Sequence, residues 1–158
     1  MTIPPFTLGA LLLAVIPLTA PPAAEEPLAP ASPVGRWRTI DDATRKPKSI
    51  VAIWEEGGKL YGKVEQVLDP KPDDPDPKCT KCQGELKDQP ILGMRILWDF
   101  RPDQSQRNKW SGGRILDPDN GKTYRCTLNL AEDGKRLLVR GYIGIPVLGR
   151  TQTWIREE

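Results

Sequence analysis

Three cysteines, two groups of aspartates and a set of large aromatic rings are the residues of this chain whose types and spacing suit them to chemistry. Cys79 and Cys82 form a Cys-x-x-Cys pair, the spacing of thiol redox centres and of half of many zinc sites. A redox pair needs a helix N-terminus to lower the pKa of its attacking thiol. This pair instead follows the Pro- and Asp-rich residues 69–78, with no strand-to-helix junction. Zinc takes four ligands, and the chain offers one further cysteine, Cys126, and no histidine. No metal is therefore expected. In an oxidising compartment a local Cys79–Cys82 disulfide is the expected state. It closes so short a loop that its stabilisation is small. Cys126 falls on the apolar face of its strand and reads as a buried free thiol. A bridge from Cys126 to one member of the pair is the open alternative.

The absence of histidine removes Ser-His, Cys-His and His-ligated metal centres together. Asp69, Asp73, Asp74 and Asp76 invite a calcium loop, but prolines at 70, 72, 75 and 77 stand where such a loop needs a glycine turn. They read as a solvated, stiffened connection. Asp41 and Asp42 are neighbours, so on a strand they face opposite ways and share no site. They read as a turn cap before Thr44. Gly112-Gly113 precedes no helix and is no phosphate loop. The expectation is a non-enzyme with no catalytic residue, no metal and no cofactor. An enzyme would be marked by inward carboxylates converging from different strands. Lys plus Arg is 23 against 21 Asp plus Glu, and the cations are scattered singly, so nucleic acid is not an expected partner.

The aromatic residues carry the one ligand argument. Trp37, Trp54, Trp98, Trp110, Trp154, Tyr61, Tyr124 and Tyr142 are many large rings for a small domain. They either pack its core or line an apolar cup open at one end. By strand parity Trp54 groups with Ile50 and Ala52, and Tyr124 with Leu128, and both are assigned to the interior. Trp54, Tyr61, Trp98 and Tyr124 are the candidate contacts to a small apolar or lipid-like ligand. Arg140 faces away from Val139 and is read as exterior.

The elements that would position these residues are strands. Strand-like pieces run over 35–41, 48–55, 59–68, 91–100, 109–117, 122–130, 135–143 and 149–156, several with a two-residue apolar period. Glu56-Gly57-Gly58, Asp117-Pro118-Asp119-Asn120-Gly121 and Glu132-Asp133-Gly134 are hairpin turns by composition. The one long connection is 69–90, where 85–89 forms at most a helical turn. Glycines at 62, 93, 112, 113, 141 and 144 suit sharp bends. The fold class is all-β, and a meander of this length hides its edges by closing into a barrel. Residues 8–20 form an apolar run too short for a bilayer, so no integral membrane span is expected. It fits the core of a signal peptide over 1–24, although the first basic residue is Arg36 and Pro21-Pro22 leaves the cleavage site unfixed. Residues 25–34 read as a Pro/Ala-rich linker and 35–158 as the folded domain, periplasmic or secreted.

The opening Gly35-Arg36-Trp37 and the last strand Gly149-Arg150-Thr151-Gln152-Thr153-Trp154 resemble the closing signature of lipocalin-like, or calycin, barrels. That resemblance implies a first-strand Trp plugging one barrel end and a terminal-strand Arg across its ring. Gly35, Trp37 and Arg150 would then be the closure residues. The longer segments GRWRTIDD, KSIVAIWEEGGKLYGKVEQVL, CTKC, KDQPILGMRIL, WSGGRILDPDNGKTYRCTLNL and LLVRGYIGIPVLGRTQTWIR are similar to domain-of-unknown-function family 2147. The family resemblance implies a small exported bacterial protein with an eight-stranded antiparallel lipocalin-like barrel, and names no reaction or ligand. Two roles follow. One is a barrel that binds a small apolar or amphipathic molecule. The other is a filled barrel acting through its outer surface as an envelope interaction or stress protein. Cavity volume separates them.

Overall fold

The computed structural model describes residues 31–157, so the signal segment and the linker up to residue 30 lie outside the described residues. Eight strands follow in order: β1 (Gly35–Ile40), β2 (Pro47–Glu56), β3 (Lys59–Val67), β4 (Arg95–Pro102), β5 (Lys109–Asp117), β6 (Lys122–Leu130), β7 (Arg136–Tyr142) and β8 (Arg150–Arg156). Each pairs antiparallel with the next, and β8 pairs with β1, so the sheet is a closed all-β barrel. The turn composition explains the connectivity. Gly57 and Gly58 both take positive φ (59° and 72°), which two-residue hairpins of matching twist require. At the β5–β6 turn Asp117 accepts from the Asp119 backbone and the Asn120 side chain.

β4 begins at Arg95 rather than at residue 91. Residues 91–94 close a turn, with the Met94 amide donating to the Ile91 carbonyl at 3.0 Å and Gly93 at φ 82°. The helical turn foreseen over 85–89 is a single 3-10 turn at Gly84–Leu86.

The interior face follows strand parity from Val51 and Ile53 through Leu60 and Val64 to Leu128, Leu137 and Val139, all buried. Two glycines let large neighbours fill the barrel. A Cβ on Gly113 would lie 2.4 Å from the Phe100 ring, and one on Gly62 would lie 2.8 Å from Leu97 Cδ1.

The base is sealed by Trp37, which is fully buried and donates from Nε1 to the Pro33 carbonyl at 2.8 Å. The guanidinium over its ring belongs to Arg156, 4.3 Å from the centroid. This corrects the assignment to Arg150. The β1–β8 register sets Trp37 opposite Arg156, and Arg150 sits at the other end of β8, about 20 Å away by strand rise. Arg156 also donates to the carbonyls of Gly134, Val34 and Ser32 at 2.7, 2.9 and 2.8 Å. A Cβ on Gly35, whose φ is 137°, would lie 2.7 Å from Arg156 Nη1. Pro33 is buried at the barrel base, where its carbonyl accepts from Trp37.

β1 and β8 share only the pairs Trp37–Arg156 and Arg38–Ile155, and towards the other end they splay. A recess of about 280 Å³, lined by Ile40, Asp42, Arg45, Thr151, Thr153 and Ile155, marks the gap.

Candidate functional site: the barrel mouth and its cavity

Because the strands form a meander, the β1–β2, β3–β4, β5–β6 and β7–β8 connections gather at the end away from Trp37. A cavity of about 650 Å³ opens there. Its inner wall is apolar, formed by Val64, Ile96, Ile115, Val139 and Trp154. Ile96 reaches this wall because β4 is irregular: β3 pairs Gly62 with Leu97 and then Lys63 with Arg95, leaving Ile96 as an extra residue.

The rim is polar. On one side Trp154 Nε1 donates to Gln152 Oε1 at 3.3 Å, and Gln152 Nε2 donates to Asp42 Oδ2 at 2.7 Å. Asp42 also pairs with Arg150. This chain of contacts bridges the seam where β1 and β8 have stopped pairing. Across the mouth, Asn120 Nδ2 donates to both Tyr124 Oη (3.0 Å) and Asp117 Oδ2 (2.9 Å). Lys48 pairs with Asp119. The long connection supplies a further wall with Asp69, Lys71, Asp74 and Lys81. Its position is held by the Lys78–Pro90 bridge, by the Cys79 amide donating to Gln89, and by the close seat of Lys81 on Gly121. Gly121 is at φ 71°, and a Cβ there would lie 2.0 Å from the Lys81 carbonyl oxygen.

The candidate residues divide between this cavity and the outer surface. Tyr124 lines the cavity. Trp54, Tyr61 and Trp98 are not among its lining residues. Val51 and Ile53 occupy the inner face of β2, so Trp54 points outward, which corrects its assignment to the interior. It stacks beside its cross-strand partner Tyr61, ring centroids 6.0 Å apart, with the Arg95 guanidinium 5.3 and 5.1 Å from the two centroids. Trp98 pairs with the exposed Arg114, on the face opposite Leu97. The cavity ring that parity overlooked is Trp154, which follows Arg150 and Gln152 in alternate positions of β8. That alternation was the readable signal.

The two aspartates have separate tasks. Asp41 accepts from the amides of Ala43 and Thr44 and from Thr44 Oγ1, and these bonds, the Thr44 amide foremost, hold its carboxyl below the usual range. Asp42 belongs instead to the seam at the mouth. Cys79 and Cys82 are joined in a disulfide. Cys126 is a buried free thiol whose pKa burial pushes far up. Arg140 is exterior and donates to the Pro146 and Val147 carbonyls of the β7–β8 connection. Among the described residues no group of three His, Cys, Asp or Glu is placed to hold a metal, and no helix is long and apolar enough to cross a membrane.

The model of a family described as an uncharacterized protein conserved in bacteria (DUF2147) matches residues 35–156, all eight strands of the barrel. The chain belongs to the DUF2147 family. No curated protein matches it. Among solved structures it is similar to protein HP1028 of Helicobacter pylori, described as belonging to the lipocalin family, at 23% identity and a TM-score of 0.67. The likeness covers 79% of this chain and 82% of that one, and at this identity it speaks to the fold alone. This DUF2147 barrel has a lipocalin-like fold, and its own geometry shows a closed base, an open mouth and an interior partly left to a cavity. Such an arrangement can take up the apolar part of a small molecule and leave a polar part at the rim.

Proposed function

We propose that this DUF2147 protein is an exported, non-enzymatic binding protein that holds one small amphipathic, lipid-like molecule in its barrel. The observation that carries the reading is the cavity of about 650 Å³ with an apolar wall and a polar mouth. That volume falls within the roughly 300–1,000 Å³ of small-molecule sites. A barrel filled by its own side chains would leave no such space. The apolar part of the ligand would lie against Val139, Ile115 and Trp154, and its polar head would meet Tyr124, Gln152 and Arg150. Four carboxylates at the mouth are already engaged, which supports a binding role over catalysis. Asp41 caps a turn, Asp42 is paired with Arg150, Asp119 with Lys48, and Asp117 holds Asn120. Export rests on the apolar segment 8–20 and on a disulfide of the kind that oxidising compartments sustain.

The test is native mass spectrometry of protein purified without refolding, followed by titration of the delipidated protein with straight-chain carboxylic acids and tryptophan emission as readout. A bound amphiphile at one per chain is expected. Kd should tighten about fourfold per added methylene until the cavity is full. Gly141 provides a control, because it lines the cavity and a Cβ there would meet Ile115 Cγ2 and Tyr124 Cβ at an easy 3.6 Å. Gly141→Leu narrows the cavity and should weaken binding of the longer acids while the protein stays folded. An apo mass together with a flat tryptophan response across the series would sink the proposal and leave the filled-surface role.

A further inference from the structure

The β7–β8 connection carries the densest exposed apolar surface of the described residues. Ile143, Ile145, Val147 and Leu148 are 70, 58, 75 and 78% exposed. Residues 141–149 contain no charge, and arginines stand at both flanks, Arg140 and Arg150. A water-facing loop has no use for four such side chains, and a contiguous patch of this kind marks a contact surface.

The backbone at the tip of this loop has internal partners. The 3-10 turn at Pro146–Leu148 closes with Leu148 and Gly149 amides donating to the Ile145 and Pro146 carbonyls at 3.3 and 3.0 Å. Arg140 donates from Nε to the Pro146 carbonyl at 2.8 Å and from Nη2 to the Val147 carbonyl at 3.1 Å, and is itself braced on Thr151 Oγ1 at 2.8 Å. In water those carbonyls would be solvated without help. In an apolar medium an unpaired backbone group is heavily penalised, and this clamp removes that penalty for the Pro146 and Val147 carbonyls at the tip.

We propose that the β7–β8 turn is an interfacial anchor that inserts its apolar tip into a phospholipid bilayer surface. Size favours a bilayer over a protein partner. A stable protein interface buries about 800 Å² per partner, more than one short turn offers. An interfacial anchor needs only an apolar tip seated roughly 5–10 Å into the headgroup boundary. Position gives the anchor a purpose: Gly141 and Arg150, at the two ends of the loop, both line the cavity, so docking sets the barrel mouth against the lipid. The anchor does not depend on the cavity being occupied, so the two readings fail separately. Insertion is apolar in origin, because Arg150 is already paired with Asp42 and the net charge is only +2.

The experiment is flotation of the protein purified after export, without the apolar segment 8–20, with vesicles of phosphatidylethanolamine and phosphatidylglycerol, at low salt and at about 1 M salt, where screening is nearly complete. The wild type is expected to float in both. Val147→Ser combined with Leu148→Ser should lower the floated fraction at least tenfold, and Ile143→Ser with Ile145→Ser should do the same. All four side chains are exposed, so each double variant should keep the wild-type thermal midpoint. Gly141→Leu should float as the wild type does. Three results overturn the proposal: a wild type that stays with the aqueous phase, double variants that float unchanged, or flotation lost in high salt. A concentration-dependent dimer without vesicle binding, abolished by Val147→Ser/Leu148→Ser, would reassign the turn to self-association.

Discussion

Arg156 and Arg150 stand in one strand with the same side chain, and register alone gives them different work. Arg156 covers the Trp37 ring and satisfies three backbone carbonyls at the base, in surroundings dry enough to lower its pKa by burial. Removing it exposes Trp37 and takes away the partner of the part-buried Gly134 carbonyl. Arg156→Ala is therefore expected to cost roughly 2–4 kcal/mol in urea unfolding. Arg156→Lys should not restore the loss, because an ammonium lacks the planar fork that stacks and donates at once. Arg150 reaches Asp42 with a side chain 67% exposed, so Arg150→Ala should leave the unfolding midpoint nearly unchanged. Its effect belongs at the mouth, in the ligand-binding readout.

The turns and bends of the strands give two further expectations. Asp103 organises the β4–β5 connection by accepting from Ser105 Oγ (2.7 Å), the Ser105 amide (3.0 Å) and the Gln106 amide (3.2 Å). The Ser105 hydroxyl leads in drawing its pKa from 3.8 down to about 2, with help from Ser111 and Lys109. A carboxyl depressed in the folded state contributes stability above its unfolded pKa and loses it as pH falls. Wild-type stability should accordingly drop between about pH 4 and pH 2, and Asp103→Asn should flatten that limb in a pH series of urea midpoints. Within β5, Gly113 gives way to Phe100. Gly113→Ala should destabilise by about 1–3 kcal/mol, read by the same assay, because the intruding Cβ meets a ring locked in the core.

For the whole molecule, closure decides what the strands can do. The seam between β1 and β8 is short, and the Asp42–Gln152–Trp154 contacts hold it where backbone pairing has ended. The long connection walls the cavity, and the Cys79–Cys82 disulfide, buried in the core, ties one short stretch of it. Reduction should move the thermal midpoint little, since the closed loop is short. It should speed hydrogen exchange at the Cys79, Asp88 and Ile91 amides, whose acceptors all lie in that connection. Cys126 should stay unmodified by thiol reagents in the same experiment, being buried with its thiolate disfavoured.

Local chemistry explains what the sequence determined by itself. The turn glycines, the two-residue periods and the lack of helical periodicity placed eight strands within a few residues of their observed bounds, because these signals depend on neighbouring residues only. The Cys79–Cys82 disulfide and the buried Cys126 were legible for the same reason, as was the capping of Asp41 by its own turn. Register across the closing seam was not legible. Which arginine covers Trp37, and that Asp42 meets Gln152, depend on joining segments more than a hundred residues apart. Strand parity separated the two faces but could not say which one closes inward. Trp54 and Tyr61 therefore came out on the surface, while Trp154 turned into the cavity. A period of two distinguishes faces without labelling them, and the curvature of the closed sheet supplies the label.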